Sequence, residues 1–376
     1  MKGLAYYRVN RDDPNNAGVV RKMEAQVAAL RASGLTVDLV CLGDAGIYLN
    51  DELLHPFRSS VLGNALSTYL FYLFRWPAIV QQKVDLTTYD FLYLRYPMMH
   101  PLLMRFLRRA RRAGLRIALE IPTWPYDKEP KRLPHRMSLQ MDRLYRSGLK
   151  EVVDRILHYG MESHIYGVPT ISLRNGVEID QIPFFPRTPI SDSLRLIAVA
   201  NWSYWHGLDR LLHGLAKYYR EGPVAVRVQL QVVGGGPEQR SYRALTKRLG
   251  LEQWVRFVPA ARGRTLDQYF ATADLGIGTL GMHRKGVEID SSLKHREYCA
   301  RGLAFVLSRQ DTDFPPNWPY TCYVEDSDAS IDIPPLIDFF QKLPPDASQN
   351  MRAYAKERLS WHQQLQPFVQ WLRSSP

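Results

Sequence analysis

The chain has 376 residues, more than one compact core accommodates, so two domains of roughly 150–200 residues each are expected. A hydrophobic fraction of 45% and a charged fraction of 23% exclude a disordered chain. The formal net charge of +12 calls for an acidic partner: nucleic acid, an anionic membrane or a phosphorylated ligand.

In chain order, Leu4–Tyr7 reads as a first strand, cut short by charge, and not as a signal peptide. A polar loop covers 10–18. Met23, Val27 and Leu30 then recur at helical spacing, and Gly34 stops that helix. Further strands are expected at Val37–Leu42, Phe91–Leu94 and Ile117–Glu120, with another near Ile156. The most apolar stretch, Leu66–Phe74, is far short of the ~20 residues of a spanning helix. Pro183, Pro186 and Pro189 mark 180–193 as a linker. A second strand series follows at Leu194–Ala200, Val226–Val233, Val255–Val258, Leu275–Gly278 and Leu303–Leu307, and 350–372 is helical in pattern. Strands alternating with helices imply two α/β halves built on parallel sheets, with ligands at the carboxyl ends of the strands.

Several local patterns carry possible chemistry, each beside a plainer reading. The Gly234-Gly235-Gly236-Pro237 turn is either a tight strand-to-helix connection or a place where backbone amides approach phosphate. Asn15-Asn16-Ala17-Gly18 is either ordinary turn chemistry or a helix start over which a diphosphate or an acceptor passes. Lys294 and Glu297 share a helix face: a surface ion pair, or a cation for a departing phosphate and a carboxylate for a ribose. Ser291, Ser292 and Gly302 beside them favour a site. After the strand at 194–200 come Trp202, Tyr204, Trp205, His206 and Arg210. There Arg210 offers a forked grip on phosphate and His206 a donor.

Leu102–Arg116 is a basic amphipathic helix, suited either to anionic headgroups or to covering a core. The aromatic run Tyr69–Trp76 is a second membrane-facing patch or buried core. Cys41, Cys299 and Cys322 are an odd number without metal spacing, which fits a reducing cytoplasm. No metal constellation, Gly-x-Ser-x-Gly elbow, Walker lysine or nucleic-acid module stands out.

Taken in order, these segments resemble the GT-B glycosyltransferases, and more narrowly the family-four enzymes that build bacterial capsule and exopolysaccharide. The resemblance rests on Arg174-Asn175-Gly176-Val177-Glu178, Trp205-His206-Gly207-Leu208-Asp209-Arg210, Val233-Gly234-Gly235-Gly236-Pro237, Val255-Arg256-Phe257, Ala273-Asp274 and Lys294-His295-Arg296-Glu297-Tyr298 with Arg301-Gly302. Glu120-Ile121-Pro122-Thr123-Trp124-Pro125-Tyr126-Asp127 resembles a loop of the same transferases.

The resemblance implies two Rossmann-like domains facing across a cleft: 1–185 on the acceptor side and 190–357 for the nucleotide sugar, with a C-terminal helix, 358–376, crossing back to the first. It implies transfer of a sugar from a nucleoside-diphosphate sugar to an acceptor hydroxyl, retaining and metal-independent, with no cofactor. Glu297 would bind the ribose. Lys294 and Arg210 would lie near the diphosphate, the amides around Ser292 and Leu293 beside them, and His206, Gly235 and Gly18 around the donor. Where the family has a glutamate eight positions before Glu297, this chain has Ile289, flanked by Glu288 and Asp290, and either carboxylate can serve the donor sugar. For the family's N-domain histidine, Glu120, Asp127 or His100 can stand in. A cytoplasmic enzyme meeting a lipid-linked saccharide at the inner membrane face is the expected setting. A nucleotide-sugar 2-epimerase and a non-catalytic scaffold of a polysaccharide assembly complex are the alternatives.

Overall fold

The computed structural model describes residues 1–13, 16–57, 75–126, 133–186, 192–286 and 291–374. The expected site residues Glu288, Asp290 and Asp127 lie outside them, as do Tyr69–Phe74. The chain divides into two units, Met1–Arg174 with Trp361–Pro376, and Asn175–Ser360. The first boundary falls ahead of the proline-rich segment, because Val177 N–H donates to the Leu359 carbonyl (2.9 Å) and Val177 bridges to Ser360, both within the second unit. The helical pattern expected over 350–372 is interrupted at this second boundary.

Unit 1 holds strands β1 (Lys2–Asn10), β2 (Thr36–Leu42), β3 (Gly46–Leu49), β4 (Glu52–Pro56), β5 (Phe91–Arg95), β6 (Arg116–Ile121), β7 (Arg155–His158), β8 (His164–Ile165) and β9 (Val168–Ser172). Its described helices are α1 (Ala17–Ala32), α2 (Pro101–Arg112) and α3 (Leu133–Tyr145), with a further helical stretch over 75–83. The sheet order is β4-β3-β2-β1-β5-β6-β7-β9-β8, parallel from β2 through β9. Alternation along the strands makes two cores. Leu4, Tyr6, Leu92 and Leu94 face one side, where α2 packs. Ala5, Tyr7, Phe91 and Tyr93 face the other. Trp76, fully buried, stacks on Tyr6 at 3.6 Å, so this end of the aromatic run is core.

Helix α2 begins where His100 Nδ1 accepts from Leu103 N–H (3.3 Å) and Pro101 occupies the first turn. It ends before Gly114, at φ +88. Leu103, Met104, Phe106, Leu107 and Ala110 are all buried in the core, and the arginines face outward. The apolar side of this helix thus covers the core, and its arginine side is exposed.

Unit 2 holds β10 (Ser193–Val199), β11 (Arg227–Val233), β12 (Val255–Val258), β13 (Leu275–Ile277), β14 (Phe305–Leu307) and β15 (Thr321–Tyr323). Its helices are α4 (Leu208–Arg220), α5 (Gln239–Arg248), α6 (Gly263–Ala271), α7 (Leu293–Arg301), α8 (Pro334–Gln341) and α9 (Ala347–Arg358). The all-parallel order β12-β11-β10-β13-β14-β15 is that of a doubly wound dinucleotide-binding sheet. The chain order reverses between β10 and β13, the position at which such a sheet takes a ligand outside its carboxyl ends.

Returning to unit 1, α10 (Trp361–Gln364) and α11 (Gln366–Arg373) lay Trp361, Leu365, Phe368 and Leu372 on the core that contains Tyr7 and Tyr93. Pro367 in the first turn of α11 separates the two helices. No described helix is long and apolar enough to cross a membrane.

Candidate functional site

The carboxyl ends of β10, β11 and β13 meet in three laced loops. Trp202 N–H donates to the Gly235 carbonyl (2.7 Å), Glu238 N–H to the Trp202 carbonyl (3.1 Å) and Leu280 N–H to the His206 carbonyl (3.0 Å). The glycines have separate duties. Gly234 sits at φ +125 and a Cβ there would stand 1.9 Å from the Ala200 carbonyl oxygen. Gly236 sits at φ +118 and a Cβ would stand 2.4 Å from Trp202 N. At Gly235 a Cβ would meet nothing within 4 Å. The turn is thus glycine-rich first because β10's loop crosses it closely.

His206 closes a short 3-10 turn, Tyr204–His206. Its Nδ1 lies 2.9 Å from the Ser203 backbone nitrogen and 3.2 Å from the Ser203 carbonyl oxygen. Burial pushes its pKa down, and the charges of Lys294 and Lys285 push it further, to about 3. At neutral pH His206 is therefore an uncharged imidazole lying within the field of Lys294.

Arg210 departs from expectation. Its Nε donates to the Ala329 carbonyl (2.8 Å), Nη2 to the Glu325 carbonyl (2.7 Å) and Nη1 to the Leu280 carbonyl, at 2% exposure. The forked phosphate grip read from the sequence is corrected. The guanidinium instead ties β13's loop to the segment at 325–329. A cluster that the sequence reading passed over sits beside it. Arg284 forms a two-pronged pair with Asp209 (2.8 and 2.8 Å) and also reaches Asp328 (2.8 Å), while His283 Nδ1 lies 3.1 Å from Asp326. Asp209 stood within the resemblance segment, but its partner lies 75 residues away.

Helix α7 carries the remaining residues. Ser292 is its N-cap in extended conformation and makes no side-chain capping bond. Lys294 and Glu297 are half-buried on one side, while His295, Arg296 and Tyr298 are buried on the other. Leu293 is 38% exposed. The helix start is fixed from beneath. Arg296 donates to the Ser292 carbonyl (3.0 Å) and Ser291 Oγ (3.1 Å), and pairs with Asp311 (2.8 Å) and Asp313. His295 Nδ1 lies 2.9 Å from the same Asp311. Asn175 Nδ2 donates to the Ser291 carbonyl (2.9 Å). Gly302, at φ +76, ends the helix where a Cβ would press on Phe184 and Ser348.

In unit 1 the structure corrects the reading of Glu120 as a catalytic stand-in. Its carboxylate is fully buried on β6 and accepts from the hydroxyls of Tyr93 (2.5 Å) and Tyr159 (2.8 Å). Lys22 Nζ lies at 3.3 Å and Gln26 Nε2 at 3.3 Å. Burial alone would raise its pKa, but Lys22 and Arg95 with the two hydroxyls hold it at about 2. It is an ionised, fully buried hub whose oxygens are taken up by these partners. His100 is likewise buried and occupied as the α2 cap, its pKa lowered by burial and Arg8 to about 4. Gly18 is exposed in the first turn of α1, and a Cβ there would meet nothing within 4 Å.

Among solved structures the chain is similar to a glycosyltransferase from Rickettsia africae (TM-score 0.66, 12% identity, covering 99% of this chain and 98% of that one). It is similar also to a sucrose-phosphate synthase from Thermosynechococcus elongatus (0.61, 14%, 99% and 98%) and to a trehalose-6-phosphate synthase (0.59, 12%, 100% and 100%). The likeness spans both units and shows a shared fold, the GT-B fold of paired Rossmann-like domains. No family model matches the chain. No curated protein matches it in sequence.

Proposed function

We propose that this chain is a glycosyltransferase that moves a hexosyl group from a nucleoside-diphosphate sugar to an acceptor hydroxyl, with retention and without a metal. The observation that carries the reading is that His206 and the start of α7, with Lys294, follow the carboxyl ends of the neighbouring strands β10 and β13 of unit 2's sheet, where a doubly wound fold takes its nucleotide. Likeness to enzymes named for making sucrose phosphate and trehalose phosphate supports sugar transfer.

In this reading the start of α7 and Lys294 meet the diphosphate, and the lysine offsets charge as the anomeric bond breaks. His206 hydrogen-bonds the donor through Nε2. Glu297 accepts the ribose hydroxyls. Arg210 and Arg296 act as positioning residues, holding the loops from behind. Gly235 lets the turn approach the donor, and either Glu288 or Asp290 serves its sugar. Unit 1 takes the acceptor, passing Gly18.

The acceptor is a lipid-linked saccharide of bacterial surface polysaccharide synthesis, met at the cytoplasmic face of the membrane. α3 suits such a surface better than α2, since Met137, Leu144 and Tyr145 are exposed there (68%, 77% and 37%) beside Arg136 and Arg143. Failure to cosediment with anionic vesicles would refute this part, and cosedimentation that survives Leu144→Asp would refute the role given to α3.

A thermal-shift panel of nucleotide sugars followed by a donor-hydrolysis assay tests the whole reading. Slow release of nucleoside diphosphate and free sugar supports it. An isomerised donor supports the epimerase instead, and neither binding nor turnover supports the scaffold.

A further inference from the structure

Strands inside a parallel α/β sheet are ordinarily apolar on both faces, because helices cover both. β11 lies between β12 and β10, yet its residues alternate. Val228, Leu230 and Val232 are buried, while Gln229 is exposed and Gln231 half-buried. The register sets Arg195 beside Gln229, and Gln231 between Ile197 and Arg256. One face of this interior strand is therefore polar and open, and a groove of about 460 Å³ lies over it.

We propose that this groove binds a neutral oligosaccharide. Gln229, Gln231, Trp254 and Tyr269 line it, with charges of both signs on Arg195, Arg256 and Glu252. A glutamine amide offers a donor and an acceptor side by side, which matches the neighbouring hydroxyls of a sugar ring. Aromatic side chains match the ring's apolar face. Trp254 is held firm from behind by stacking on Tyr219 (4.4 Å, 5°). Arg195 is fixed and its charge met by Asp274 through two bonds (2.8 and 2.6 Å), so it presents ordered N–H groups rather than a bare cation.

The lining also holds an unused donor. Gln231 Nε2 is buried and has no hydrogen-bond partner among the described residues. A buried amide left so is unfavourable, and rotating it toward the groove lets a sugar hydroxyl satisfy it. The lining residues belong to the early and middle positions of β10, β11 and β12, to the segment just ahead of β12, and to the end of α6 with the residues that lead into β13. The groove is thus distinct from the loops at the strands' carboxyl ends, and its case does not depend on the donor reading.

Calorimetric titration of the full chain with maltohexaose, isomaltohexaose and chitotetraose, each with and without UDP, tests it. Binding of at least one is expected, unchanged by UDP. Gln231→Leu and the exposed-site variant Gln229→Ala should each weaken it about five- to tenfold. Four results would overturn the proposal: no heat from any of the three, loss of binding when UDP is present, affinity untouched by both variants, or binding of inorganic phosphate alone. No readout uses turnover, so failure here leaves the proposed transfer activity standing.

Discussion

Arg296 and Asp311 form an ion pair at zero exposure inside unit 2, and the same guanidinium holds Ser291 and Ser292 at the start of α7. A buried pair contributes little net stability against an apolar substitute, but removing one partner strands the other charge. Asp311→Asn should therefore cost about 3–5 kcal/mol, read by urea denaturation. A loss below about 1 kcal/mol would show that Asp313 alone suffices for Arg296.

The same reasoning separates structure from catalysis at Glu120. Glu120→Gln leaves Lys22 and Arg95 without their shared carboxylate, so a loss of about 3–5 kcal/mol is expected. Adding Lys22→Met should recover part of it. A Glu120→Gln protein of normal stability but no activity would return Glu120 to the catalytic list.

Acid should weaken the fold in a definite order. His206 titrates at about 3 in the folded chain, against about 6.5 for an unfolded imidazole. Above that higher value both states are neutral. As pH falls through the window, the unfolded chain takes up a proton that the folded chain refuses, and stability drops. His100, at about 4, adds the same sign. Glu120 follows lower down, between about 4.3 unfolded and about 2 folded. Urea midpoints should therefore fall from pH 6.5 downward, and His206→Gln should flatten the slope without abolishing it.

The glycine turn makes a sharp contrast. Gly234→Ala meets both a positive φ and the Ala200 carbonyl and should cost about 2 kcal/mol or more. Gly235→Ala meets neither and should change stability by less than about 0.5 kcal/mol. Equal effects would mean the turn rearranges.

How much of this was legible in the sequence depended on how local the cause was. The segments 194–200, 226–233 and 255–258 became β10, β11 and β12 within a residue or two, because β-branched and other apolar residues recur at every second position or closer along each. Strands β3, β4, β8, β9 and β15 were not visible. They are two to five residues long, too short to show a period, and pairing with a neighbour decides them. At the site, Lys294 and Glu297 were readable because one helix turn sets their relation. Arg210 was misread because a guanidinium that grips phosphate and one that braces three carbonyls look alike until burial is known. Arg296 went unread because Asp311 lies 15 residues away. Asp209, likewise, is defined by Arg284.

The central claim is that unit 2 holds the donor at the start of α7, and steady-state kinetics of Lys294→Ala and Glu297→Ala with the donor found by the panel test it most directly. The expected result is a fall in kcat/KM of about 100-fold for Lys294→Ala and a rise in donor KM of about tenfold for Glu297→Ala, both with unchanged melting temperature. Normal turnover by both variants would contradict the claim.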